Sequence, residues 1–124
     1  TTAARAATEM KLSGAIALSA DSLIILERTD WVAKLYRVDL APATNILGST
    51  WNNPATSPTL ESIAASSADG PALLPKTLVI ALNELAGVPD KIEGIALVDP
   101  RTLAIANDIP APLDDTVPAD FAKS

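Results

Sequence analysis

The chain has 124 residues, a formal net charge of −6, and neither cysteine nor histidine. Those absences exclude disulfides, thiolate metal sites, cysteine nucleophiles and every Ser-His-Asp arrangement within the chain. The acidic balance also argues against a nucleic-acid partner, because it repels phosphate backbones. Hydrophobic residues make up 48% of the chain and aromatic residues 3%, so the core must be built from Leu, Ile, Val and Ala. No apolar run approaches the roughly 18 residues that span a bilayer, and no transmembrane segment is expected.

In chain order, residues 1–10 are Ala/Thr-rich and read as an N-terminal tether, the start TTAARAATEM suiting a mature or processed terminus. A hairpin follows: Ala15 to Leu18, a turn at Ser19-Ala20-Asp21-Ser22, then Leu23 to Leu26. Lys34 to Leu40 alternates as a half-buried strand, with Leu35, Arg37 and Asp39 on one face and Tyr36, Val38 and Leu40 on the other. Asn45 to Ser49 reads as a fourth, outer strand. Residues 51–76 are an irregular excursion, in which Thr59 caps a brief helix from Leu60 to Ala68 and Trp51 is the anchor. Both Trp31 and Trp51 read as packing anchors rather than ligand platforms.

Leu78 to Leu82 is a strand, Ala86 to Asp90 a turn, and Ile92 to Ala106 a second hairpin turning at Asp99-Pro100-Arg101-Thr102. Residues 109–124 form a Pro- and Asp-rich tail, unsuited to a strand.

The two hairpins repeat one pattern. KLSGAIALSADSLIILER, Lys11 to Arg28, aligns without a gap on KIEGIALVDPRTLAIAND, Lys91 to Asp108, at an offset of 80 residues. The alignment sets Lys11 on Lys91, Gly14 on Gly94, Leu23 on Leu103 and Ile25 on Ile105. Hairpins, a meander and a repeat predict an all-β fold: antiparallel meanders forming part of a β-propeller, about two blades. Two blades leave sheet edges open, so the ring needs another chain or segment to complete it.

The segment KIEGIALVDPRTLAIAND resembles the C-terminal signature of the phytase-like domain family, described as "esterase-like activity of phytase". SGAIALSADSLIILERTD with AKLYRVDL resembles that family's S-G-L-A, L-E-R and Y-R-V-D-L blade, and LPKTLVIAL its strand before the E-G hairpin. The resemblance covers residues 11–108 as the C-terminal portion of a family domain. The sequence departs from the pattern at Asn107-Asp108-Ile109-Pro110, where the family continues N-D-N-D-F, and at the Ala20-Asp21-Ser22 turn.

The resemblance implies a secreted, periplasmic or cell-surface propeller that hydrolyses phosphoesters or esters with a divalent metal. Carried over by position, Glu93 and Lys91 are the catalytic candidates, and Arg28 and Lys91 the substrate-binding ones. Glu27, Glu93, Asn107 and Asp108 are the candidate ligands for Ca²⁺, whose hard-oxygen preference they suit. The competing expectation is a non-catalytic extracellular propeller segment that assembles with or binds a partner chain. Glu27-Arg28 is then a surface pair, and Asn107-Asp108 a turn opening the tail.

Overall fold

The computed structural model describes residues 9–63, 68 and 70–108. The tether residues before Glu9 and the Pro- and Asp-rich tail lie outside the described residues. Strands β1 (Lys11–Ala17), β2 (Ser22–Arg28), β3 (Ala33–Asp39) and β4 (Lys76–Ala81) form one antiparallel sheet in that order. Strands β5 (Ile92–Asp99) and β6 (Thr102–Asn107) form a second, two-stranded antiparallel sheet. Three short 3₁₀ turns complete the described structure, and none of its residues is α-helical. Neither sheet closes on itself. No helix among the described residues is long and apolar enough to cross a membrane.

The repeat holds at the level of register. Gly14 pairs with Leu26, Ala15 with Ile25, Ile16 with Ile24 and Ala17 with Leu23. In the second hairpin Gly94 pairs with Ala106, Ile95 with Ile105, Ala96 with Ala104 and Leu97 with Leu103. Every pair in the second set is its counterpart moved 80 residues along. The two hairpins are one structural unit used twice.

The second hairpin lies across one face of the first sheet. Alternation along β2 and β3 sends Ile24, Leu26, Ala33 and Leu35 to that face, where they bury with Leu82 and Ile92. Ile16, Ile80, Val88, Ile95 and Leu103 close the cluster from its edges. Leu26, Leu35 and Ile92 are all but fully buried, each contributing about 1.5–3 kcal/mol of transfer free energy. Gly14 lets the sheets approach: a Cβ there would stand 3.3 Å from Ile95 Cγ1. β1 and β2 both touch β5, so the first hairpin and the opening strand of the second make the junction.

Three expectations need correcting. Asn45 to Ser49 is not a strand. Asn45 Oδ1 accepts from the Leu47 amide at 3.0 Å, the Ser49 amide donates to Ile46 O at 3.1 Å, and Gly48 is left-handed at φ 72°. Those local bonds curl the backbone into turns, and the fourth strand of the sheet is β4, reached after the excursion.

Of the helix expected from Leu60 to Ala68, the described start is a single 3₁₀ turn, Leu60–Ser62, followed by an extended Ile63, and residues 64–67 lie outside the described residues. The Thr59 side chain does not cap it. Instead Ser62 Oγ bonds back to Thr59 O at 2.9 Å, an alternative to helical pairing. Trp31 is 62% exposed and anchors nothing, whereas Trp51 is half-buried within the excursion.

Candidate functional site

Both hairpins open with a bulge at the same point in the repeat. In the first, Leu12 pairs with Glu27 and Gly14 with Leu26, leaving Ser13 outside the ladder. In the second, Ile92 pairs with Asn107 and Gly94 with Ala106, leaving Glu93 outside. A bulge bends its strand and re-aims the extra side chain. Ser13 and Glu93 are the residues so presented.

Arg28, the last residue of β2, binds both. Its Nε donates to Ser13 Oγ at 3.0 Å, and its Nη2 donates to Glu93 Oε1. Its Nη1 donates to Asp30 Oδ1 at 3.4 Å. The Arg28 side chain is only 11% exposed, against 38% for Glu93 and 53% for Asp30. A planar guanidinium suits this work, because its fixed fork can hold several acceptors at set angles. The corner behind it is rigid: the buried Thr29 hydroxyl accepts from the Trp31 and Val32 amides at 3.2 and 3.0 Å.

Lys91 enters the site from the turn before β5. Its amide donates to Asp30 O at 3.2 Å, and the Asp108 amide donates to Lys91 O at 3.0 Å. The first bond fastens the second hairpin to the β2–β3 corner, and the second closes the hairpin's own open end. Lys91 has φ 54°, a left-handed conformation that a residue with a Cβ adopts at a cost. Its side chain is exposed.

The structure therefore brings Arg28 against Glu93, with the Lys91 backbone bonded to the same corner. Ser13 and Asp30 join them although sequence reasoning assigned neither to the site. The offset of 80 residues was a signal for Ser13, since it puts Ser13 at the place of Glu93. Nothing in the sequence marked Asp30.

Glu27 goes elsewhere. As the neighbour of Arg28 on one strand it points to the opposite face of the sheet. There it is buried and bonded to Lys76 Nζ, which also stands 4.5 Å above the Tyr36 ring. Glu27 and Arg28 are accordingly not a pair with each other. Asn107 closes the ladder opposite Ile92, and both it and Asp108 are exposed.

Calcium takes six to eight oxygen ligands around one point. Glu27 lies across the sheet from Glu93, and among the described residues no three acidic side chains gather closely enough to hold a metal ion. Glu27, Glu93, Asn107 and Asp108 do not make one Ca²⁺ site from this segment.

Stacked antiparallel sheets in register-identical copies, with charged groups at one end of the stack, define an all-β repeat protein. The chain belongs to the phytase-like family, described as "Esterase-like activity of phytase", which it matches over residues 1–108. No curated protein and no solved structure matches it.

Proposed function

We propose that the chain is the C-terminal part of an exported phytase-like β-propeller that hydrolyses phosphoesters or esters. In this reading the four-stranded sheet is one blade, the second hairpin opens the next, and further blades come from another segment or chain. The observation that carries the reading is Glu93, lifted out of the ladder beside Arg28, within the segment that bears the family signature.

Glu93 takes a proton from the water whose oxygen forms the new bond to phosphorus, the ester oxygen–phosphorus bond breaks, and the departing alkoxide takes its proton from solvent. Carboxylates positioned as general bases contribute about 10²–10⁴-fold. Lys91 and Arg28 supply positive charge for the phosphoryl oxygens.

The test is hydrolysis of a chromogenic phosphomonoester and a chromogenic carboxylic ester by the completed domain, with Glu93→Gln alongside. Loss of turnover in a folded variant supports the reading. Undiminished turnover would sink it.

A second reading is favoured by the bonding of Arg28. Its guanidinium is already engaged by Ser13, Asp30 and Glu93, an arrangement that suits a clamp between sheets. The segment is then a non-catalytic piece of a cell-surface propeller that assembles with its partner. Chelation leaves such a particle's stability unchanged.

A further inference from the structure

An arginine side chain can place its guanidinium in many ways, so something must select the one in which Arg28 reaches Glu93. The chain of rotatable bonds ends at Nε, and from Nε outward the group is planar and rigid. Fixing the Nε–H direction therefore fixes where Nη1 and Nη2 point. Ser13 supplies that restraint: its Oγ accepts from Arg28 Nε at 3.0 Å in a partly buried contact. The bond from Nη1 guides less, since it spans 3.4 Å to Asp30 Oδ1 and Asp30 is more than half exposed.

Ser13 is itself held in place. The bulge lifts it out of the ladder between the Leu12–Glu27 and Gly14–Leu26 pairs. At the next residue, Gly14, an added Cβ would stand 3.3 Å from Ile95 Cγ1, so the backbone carrying Ser13 lies against the hairpin carrying Glu93. The residue type matters too. Position 13 is the repeat equivalent of Glu93, and a glutamate there would set a second carboxylate on Arg28 at close range. A hydroxyl accepts from Nε without bringing a charge, so it directs the guanidinium and leaves the charge to Glu93.

We propose that Ser13 is a positioning residue for Glu93, acting through Arg28. The proposal rests on the hydrolytic reading, in which Glu93 is the general base. Ser13 itself takes no part in the proton transfer. It sets the Nε–H direction, Nη2 then anchors Glu93 Oε1, and the second carboxylate oxygen is left to take the proton from water. Groups of this kind are held to about 0.5 Å by the residues behind them, and a misplacement of about 1 Å can cost about 10²-fold in rate.

The test follows the side-chain carboxyl carbon of Glu93 by nuclear magnetic resonance in the 124-residue chain, in the wild type, Ser13→Ala and Ser13→Thr. Ser13→Ala should move it toward the position of an exposed glutamate such as Glu84. Ser13→Thr keeps the hydroxyl and should leave it near the wild-type position. In the wild type, the Arg28 Nε hydrogen should exchange about fivefold more slowly than that of the exposed Arg101. In the completed domain, Ser13→Ala should lower kcat for a phosphomonoester about fivefold or more with KM unchanged, and Ser13→Thr should recover it.

A Glu93 resonance that ignores Ser13→Ala, or moves equally in Ser13→Ala and Ser13→Thr, would overturn the proposal. So would an Arg28 hydrogen that exchanges as fast as that of Arg101, a wild-type measurement that decides the matter even where the alanine variant fails to fold. The two readings fail in different ways. Absence of any hydrolysis by the wild-type domain removes the hydrolytic reading, whereas a shifted Glu93 resonance beside an unchanged kcat removes the positioning role of Ser13 alone.

Discussion

Ser13 and Glu93 occupy the same place in two copies of one hairpin, each on a bulge, and both bind the guanidinium of Arg28. One is the bulge of Arg28's own sheet and the other that of the sheet stacked upon it. The ion pair between Arg28 and Glu93 is therefore also the polar fastening between the two repeats. In the proposed hydrolysis the same Glu93 is the general base.

Glu93→Gln separates the two roles. Gln keeps an oxygen that can accept from Arg28 but cannot take up a proton as a carboxylate does. Turnover by the completed domain should fall about 10²-fold or more. The midpoint of denaturant unfolding should move little, since a partly exposed ion pair is worth roughly 0–1 kcal/mol.

Arg28→Lys should cost more stability than its conserved charge suggests. An ammonium is a point donor and cannot reach Ser13, Asp30 and Glu93 in the geometry of the fork. The loss expected in urea unfolding is about 1–2 kcal/mol, from hydrogen bonds broken at a largely buried group.

Gly14→Val tests the close approach of the sheets. The first added carbon already stands 3.3 Å from Ile95 Cγ1, and the branches crowd it further. Overpacking should destabilise the chain by about 1–3 kcal/mol. Amide hydrogen exchange should quicken in β5 and β6, because their hairpin is the part displaced.

Lys91→Gly relieves the left-handed backbone at φ 54°. Relief of that strain, offset by the greater freedom glycine has when unfolded, should leave stability unchanged or raised by up to about 1 kcal/mol. If the ammonium binds phosphate, inorganic phosphate should inhibit the variant less than the wild type. Equal inhibition would remove Lys91 from the substrate site.

Asp99 makes the turn of the second hairpin sensitive to acid. The Arg101 amide, donating to Asp99 Oδ1 at 2.7 Å, and then the Thr102 side chain hold its carboxyl below the usual aspartate range. A depressed acid stabilises the fold above its unfolded pKa, and that contribution is lost as pH falls through the folded value. The Arg101 amide resonance should accordingly titrate below the ordinary aspartate range, and Asp99→Ala should abolish that titration.

Much of the architecture was legible in order along the chain. The offset between Lys11–Arg28 and Lys91–Asp108 carried the hairpins, their turns and their pairing, because side-chain period and turn chemistry are local properties. LVIAL announced β4, although the strand runs Lys76–Ala81 and Leu82 opens a 3₁₀ turn, and the alternation of β3 separated Leu35 from Tyr36 and Val38 without saying which side would meet the second hairpin. Asn45 to Ser49 misled, since its apolar pair looked like a strand while Asn45 and Ser49 had local bonding options.

What only the tertiary structure decided is which equivalent residues share a surroundings. Alternation separates Glu27 from Arg28, but it took β4 and Lys76 on one face, and the second hairpin on the other, to give each its partner. Leu12 and Ile92 have the same pattern around them, yet one is open and the other buried. Local sequence sets the direction of a side chain from its strand; what lies in that direction is set by another segment far along the chain.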